Sequence, residues 1–474
     1  MQPSTPNDGS TETAEPIEPA EQTGPSEERT GFGIPPALRY PAYRAYWFGL
    51  LASVSGFQMF RVGQGWLIYE ITGSPWSLGL VGAANAIPAI FFNLFGGVFA
   101  DRLDKRRLII ATQLTTGSLI FLLATLTLLG WVETWHVLAI ALLAGGVEAF
   151  DNPARQALYP HLIDRKVMMS AVAMNSVIWQ GTRIIAPGIA GILIDLINTE
   201  SAMYIAGFGF VVLAVVMARL EIPPIPRGAL GNPIQDIKEG LQFIRVNSIF
   251  SFLIGMTFFN SFFGMAYVML MPIFAVDILE VGAKGQGILL GMTGAGALVN
   301  TLWMGARGSV PNRGWAIIGG AVLFGLAVAA FALTSEYVGS LELAMALMFI
   351  MGICNSVYMI SIQSSLQIMV PDRMRGRVMG FYGMTWSIMP LGGMQASVLT
   401  SIFTAPIAIA VGGLAVALFA LGSGAANSTV RNLSSDITPI VDEVTEPEIS
   451  TPTTQPDRLI QRIPALVQSR NMRV

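Results

Sequence analysis

About twelve separate runs of this chain are apolar for long enough to cross a bilayer, a length of about 20 residues at about 1.5 Å each. They lie near 45–70, 75–100, 108–131, 135–153, 169–195, 202–219, 248–276, 286–306, 314–334, 341–366, 378–402 and 404–424. Hydrophobic residues make up 53% of the chain and charged ones only 12%, more apolar surface than one water-soluble core hides. The runs predict an all-α integral membrane protein of twelve transmembrane helices.

The chain also repeats itself. Moved forward by 208 residues, Gly56 falls on Gly264, Gly79 on Gly287, Gly97 on Gly305, Lys105 on Arg313, and Asp164-Arg165 on Asp372-Arg373. One offset registers both halves, which predicts two pseudo-symmetric six-helix lobes of the kind secondary transporters use. The expected division is a 41–219 N-terminal lobe, a 220–247 linker and a 248–424 C-terminal lobe, flanked by a disordered acidic tail at 1–40 and a disordered tail at 425–474. Within the linker, Ile234, Ile237, Leu241 and Ile244 stand against Asp236, Lys238, Glu239 and Arg245, one apolar helical stripe. That stripe reads either as an amphipathic helix on the membrane surface or as an ordinary tether.

Orientation follows from the basic residues. Alternate connections carry Arg102, Lys105, Arg106, Arg107, Arg165, Lys166, Arg307, Arg313, Arg373, Arg375 and Arg377, whereas the opposite ones are nearly bare apart from Lys284. The positive-inside bias then puts both termini in the cytoplasm. Neither terminus has the basic-then-apolar pattern of a cleaved signal peptide. A bacterial inner-membrane location is expected.

Enzyme chemistry finds little support. A single Cys354 excludes an intramolecular disulfide, and with only His136 and His161 it assembles no common zinc set. No Walker loop is present for ATP, and neither histidine has a nucleophile and base around it. No metal and no cofactor is expected.

The run Gly97-Val98-Phe99-Ala100-Asp101-Arg102-Leu103-Asp104-Lys105-Arg106-Arg107 resembles motif A of the major facilitator superfamily. Gln64 to Pro75, Asn152 to Leu158, Asn175-Ser176 and Arg183 to Gly188 are similar to the bacterial subgroup that contains the enterobactin exporter. The resemblance spans about 35–424 and implies the major facilitator fold. It implies a cytoplasmic gate at Gly97, Asp101, Arg102 and Lys105, closing when the protein faces outward; the alternative is that these charges only set topology, the better reading for Arg106 and Arg107. In the second half Ser309 replaces the acid. The stretch Gly181 to Gly191 is similar to the antiporter motif, so Gly181, Pro187, Gly188 and Gly191 are candidate hinge residues, with common glycine packing as the plain alternative.

Ionisable residues inside spans cost at least about 2.5–3.5 kcal/mol on insertion scales, and they are confined to the first half. Arg61 and Arg183 lie about 22–24 Å from one membrane face, Glu148 and Asp151 within about 10 Å of it. In a functional reading Glu148 or Asp151 exchanges a proton, while Arg61 and Arg183 attract an anionic group, with Gln58, Gln180, Asn260 and Asn355 as further cavity candidates. In a structural reading Asp151 and Arg155 form an ion pair and Arg61 binds backbone carbonyls. The seventh span adds Phe258, Phe259, Phe262, Phe263, Tyr267, Met265 and Met269, at too many angles to line one cavity wall.

These features predict a proton-coupled exporter of small amphipathic molecules, such as a siderophore, a drug or a hydrophobic metabolite, with export resting on the subgroup resemblance. A facilitator or a non-transporting sensor on the same fold is the alternative. Its expected partners are the small-molecule substrate, protons and the lipid bilayer, with no nucleic acid, and it is expected to work as a monomer.

Overall fold

The computed structural model describes residues 35–221, 233–307 and 312–426, together with 431 and 433; side chains at 93–102, 165, 169, 233, 234, 236, 306, 307, 372, 373 and 426 lie outside that description. Helices of the first half are α1 (Pro41–Thr72), α2 (Pro75–Arg102), α3 (Lys105–Leu128), α4 (Thr134–Leu158), α5 (Met168–Leu196) and α6 (Thr199–Arg219). The short α7 (Pro233–Val246) leads into α8 (Ser248–Phe259) and α9 (Tyr267–Ile273), which a π turn at Asn260–Gly264 joins into one long span. After these come α10 (Gly282–Arg307), α11 (Arg313–Tyr337), α12 (Leu341–Met369), α13 (Asp372–Ser387), α14 (Met389–Ile402) and α15 (Ala405–Ala426). No strand occurs among the described residues.

Local chemistry sets the ends. Pro41 opens α1 at a position that needs no N–H donor, and Gly73 closes it with φ +58°, its N–H donating to the Tyr69 carbonyl at 2.7 Å. Asp104, Asn198 and Ser340 cap α3, α6 and α12 by accepting from Arg107, Ser201 and Leu343 N–H groups. His136 Nδ1 accepts from the Glu133 N–H at the start of α4.

Among the described residues, ten helical spans are long and apolar enough to cross a membrane. Two of the twelve sequence runs are not among them, α1 and the α13–α14 pair. Length is not what α1 lacks, since it runs 32 residues; it carries Gln58, Arg61, Gln64 and Glu70, the polar groups an interior-facing helix can hold. The other run is divided at Ile388, with Pro390 in the first turn of α14. Outward-facing side chains such as Phe208, Leu302 and Leu418 stay 60–67% exposed, as lipid contact requires.

In the first half α1 packs on α5 and α6, α2 on α4, and α3 on α4 and α6; in the second, α12 packs on α10 and α11, and α11 on α15. Between the halves the large contacts are α2 with α14 and α5 with α10. Both are backbone-close. A Cβ on Gly79 would lie 2.7 Å from Ser397 Cβ, and one on Gly287 would lie 2.7 Å from the Pro187 carbonyl and 3.1 Å from Gly188 Cα. Carried through the 208-residue offset, Gly79 and Ser397 become Gly287 and Ile189. The two interfaces are therefore images of each other, and the sequence repeat is a repeat of contacts. Both lie toward the end of the bundle that holds Gly73, away from the Asp104 turn.

The linker stripe folds as α7 and packs on α8 and α13. Arg377 Nη1 meets Glu239 Oε2 at 2.6 Å, and Gly240 lies under Phe381. These contacts fix this helix to the second half.

Candidate functional site

Three helices of the first half, α1, α4 and α5, bring the intramembrane charges to one interior region. Arg61 on α1 sits 5.7 Å from the centre of the Phe57 ring, its side chain exposed. Glu148 on α4 is half-buried, and the charged groups that act on it are Arg61 first, then Arg155 and Asp151. It makes no hydrogen bond among the described residues. Arg183 on α5 lies 5.9 Å from the Trp386 ring of α13 and interacts electrostatically with Tyr267, Arg61 and Tyr382.

Asp151, one turn along α4 from Glu148, is in a different condition. Its Oδ1 accepts from Thr112 Oγ1 at 2.6 Å and Gln113 Nε2 at 3.0 Å, and its Oδ2 faces Arg155 Nε at 2.9 Å. Ser53 Oγ donates in turn to Gln113 Oε1 at 2.7 Å. The network ties α1, α3 and α4 together below the membrane surface. Three donors surround this buried carboxylate and offset the cost of its burial. The geometry is that of the structural reading for Asp151 and Arg155.

The other expected positions divide. Gln58 and Gln180 are half-buried on the same helices as the two arginines and have no hydrogen-bond partner among the described residues. Asn260 and Asn355 lie apart from them: both are buried, and Asn260 Nδ2 reaches Asn355 Oδ1 at 3.4 Å, joining the π turn to α12. In this structure the pair makes a contact within the second half, with Asn260 at the start of the π turn. Pro187 lies inside an uninterrupted α5, and Gly188 and Gly191 face the α10 backbone, with a Cβ on Gly191 only 2.4 Å from the Ala283 carbonyl. Gly181 has open space around it.

At the charged turn, the side chains of Gly97, Asp101 and Arg102 lie outside the described residues, as does Ser309. Lys105 is buried in the first turn of α3. Arg106, expected only to set topology, donates from Nε to the Met217 carbonyl at 2.8 Å and from Nη2 to that of Ala218 at 2.5 Å. It caps the C-terminus of α6, where a cation is favoured by the helix dipole.

Sequence reasoning missed the share of α13 in the site. Tyr382 and Trp386 on α13 stand near Arg183. The available signal was Trp386 itself, a tryptophan placed inside a span while Trp66, Trp76, Trp131 and Trp135 lie near span ends. Among the described residues no group of three His, Cys, Asp or Glu could hold a metal ion.

Residues 34–460 match the family described as transmembrane secretion effector. The chain belongs to that family. It is a multi-pass membrane transporter of the major facilitator superfamily and not an enzyme. Similar proteins include the staphyloferrin A transporter of Staphylococcus aureus, 23% identical over 72% of this chain and 85% of that one. The multidrug efflux pump Tap of Mycolicibacterium fortuitum is 24% identical over 73% and 86%, and the enterobactin exporter of Shigella flexneri 24% over 72% and 81%. Among solved structures, an inward-facing bacterial homolog of the human lysosomal transporter Spinster superposes with TM-score 0.64 at 15% identity, covering 83% of this chain and 96% of that one. The nucleoside transporter NupG gives 0.57 at 14% identity, over 80% and 98%. At these identities the transporter shares a fold with them.

Proposed function

We propose that this transporter is a proton-coupled exporter of small amphipathic molecules in the bacterial inner membrane. It has twelve spanning helices in two six-helix lobes, counting α1 and the α13–α14 pair, and works as a monomer with both termini in the cytoplasm. The state described is then inward-facing, since the lobes meet at the Gly73 end and the charged turns lie on the open side. Relatives named as siderophore and multidrug exporters support export.

The observation that carries the coupling is the contrast between two acids one turn apart. Asp151 is held by three donors, whereas Glu148 has no hydrogen bond among the described residues and the charge that acts on it most is that of Arg61. Glu148 is therefore the proton carrier of this reading. With Glu148 ionised, Arg61 is compensated; when a proton neutralises Glu148, the charge of Arg61 and Arg183 is uncovered in the same cavity. Substrate and proton compete for one electrostatic balance, which is the requirement for exchange. Each charge moved is worth about 2.3 kcal/mol per 100 mV.

The test is substrate-driven proton flux in proteoliposomes, with catecholate siderophores, macrolides and lipophilic dyes as the panel. Flux that Glu148→Gln abolishes supports the assignment. Transport that keeps its pH dependence in Glu148→Gln, at matched protein levels, overturns it and favours a facilitator.

A further inference from the structure

The span that images α5 is not one helix. Carried through the 208-residue offset, α5 falls on the α13–α14 pair, yet α5 runs without interruption while its image breaks at Ile388. Pro390 accounts for the break, since it has no N–H to donate to the Trp386 carbonyl four residues earlier. Trp386 therefore stands in the last turn of α13. The two pieces are held differently. Helix α14 packs on α2 at the interface between the halves, whereas α13 packs most on α8 and on the linker helix α7.

Successive residues of a helix turn by about 100°, so α13 has four distinct sides. One edge, Met374, Val378 and Thr385, is buried. To one side of it lie Arg377 and Phe381, which take the linker. Arg377 Nη1 donates to Glu239 Oε2 at 2.6 Å, and a Cβ on Gly240 would lie 3.0 Å from the Phe381 ring and 3.2 Å from Arg377 Cβ. To the other side lie Tyr382 and Trp386, which stand at Arg183. Opposite the buried edge, Gly376, Gly380 and Gly383 are exposed with open space around them. Arg377 and Trp386, nine residues apart in sequence, are on opposite faces and about 13 Å apart along the axis. Helix α13 thus stands between α7 and Arg183, held from those two sides and open on its glycine side.

We propose that Glu239 and Arg377 are positioning residues for the cavity: through α13 they set where the Trp386 ring stands over the Arg183 guanidinium, so the linker helix governs how far Arg183 is offered to cargo. A ring face attracts a guanidinium within about 6 Å of its centre, and here the separation is 5.9 Å. The contact sits at the edge of its range, and a small rotation of α13 makes or breaks it. With Trp386 in place, one face of Arg183 is covered. With Trp386 rolled toward the open glycine side, the guanidinium keeps both faces and all its donors for an anionic group. The proposal rests on the exporter reading only in assigning Arg183 to the cargo; the positioning itself belongs to the fold.

The test follows Trp386 by fluorine NMR in the full chain carrying 5-fluorotryptophan, in nanodiscs with no cargo and no proton gradient. Of the nine tryptophans, the line missing from Trp386→Phe is its own, and Arg183→Leu gives the position of the ring with no guanidinium beside it. Glu239→Gln and Arg377→Gln should each move the line at least half of that distance. The reversed pair, Glu239→Arg with Arg377→Glu, should return it to the parent position. Gly240→Val, which presses on Phe381 without changing a charge, should move it as well. Lys238→Ala, at an exposed position of the same helix, should not, and equal thermal unfolding shows that the fold persists throughout. A line unmoved by Glu239→Gln, Arg377→Gln and Gly240→Val overturns the proposal, as does one unmoved by Arg183→Leu. A shift that the reversed pair does not undo, or that Lys238→Ala reproduces, is general loosening and overturns it as well. Proton flux is not read in this measurement, so failure of Glu148 as proton carrier and failure of the positioning are told apart.

Discussion

Tyr69 donates a hydrogen bond to Asp277, and the two residues stand 208 positions apart, the interval of the sequence repeat. The bond pins α1 to the end of the α8–α9 span at the Gly73 end of the bundle. Opening that end for release requires this bond to break.

Tyr69→Phe should favour opening by about 1.5–3 kcal/mol, the range for a hydrogen bond to a charged group. Ser397 is fully buried against Gly79, and Cys354 is the only native cysteine. In a Cys354→Ala, Ser397→Cys background, maleimide labelling should accelerate at least tenfold when Tyr69→Phe is added.

The mirrored interfaces predict mirrored phenotypes. Gly79→Val and Gly287→Val each push a side chain into backbone or Cβ atoms at 2.7 Å, and each should reduce transport to under about a tenth while the protein still inserts, since overpacking costs about 1–3 kcal/mol. Transport assays at matched membrane levels check this; a large effect from one glycine and none from the other would contradict the symmetry.

Asp151→Asn and Glu148→Gln should separate stability from coupling. Turning Asp151 into an amide sets an N–H₂ or a neutral oxygen against Arg155 and leaves a buried guanidinium uncompensated, a loss of about 3–5 kcal/mol. Thermal unfolding in detergent should fall clearly for Asp151→Asn and stay near the parent for Glu148→Gln, whose pH-dependent transport is lost instead.

Arg106→Ala should cost about 1–2 kcal/mol through the exposed carbonyls at the end of α6. Arg107→Ala, whose side chain is 88% exposed and reaches Asp104 only at 3.9 Å, should change stability by under about 0.5 kcal/mol. Paired melting curves decide it.

The segment before α1 is tied to the turn ahead of α5 through Tyr40, which donates to Asp164 at 2.7 Å, and to α5 itself through the Ala37 N–H, which donates to Ser170 Oγ. The hydrogen bond to Asp164, with burial behind it, raises the Tyr40 phenol above its ordinary value of 10.0. A raised folded value means the tie is complete below the ordinary range and lost only as pH rises through the raised one. Tryptic cleavage at Arg39 and Arg44 in the folded protein should thus be flat from pH 7 to 9.

Much of this was legible in the residues. Apolar length gave the spans and the offset gave the repeat, because both depend on backbone geometry that composition must serve. Arg61, Glu148 and Arg183 stood out because a charge in an apolar run is expensive wherever it points. What a linear pattern could not reveal was partnership. Glu148 and Asp151 look alike in sequence, and only Thr112, Gln113 and Arg155 around one of them make the difference. The π turn that begins at Asn260 has no signature in the residues either, because it depends on how that span packs. Arg106 misled because its acceptors are backbone carbonyls 111 and 112 residues away, which have no side-chain signature.

The glycine contacts of α2 with α14 and of α5 with α10 bear on speed as well as on fit. Where main chain rests on main chain, as Gly191 over the Ala283 carbonyl and Gly287 over that of Pro187, fewer side chains interlock. Separating such surfaces releases few rotamers and rejoining them freezes few, so these contacts carry little entropic cost in either direction. The pace of turnover is left to the discrete catches, the Tyr69 bond at one end and whatever fills the cavity at the other.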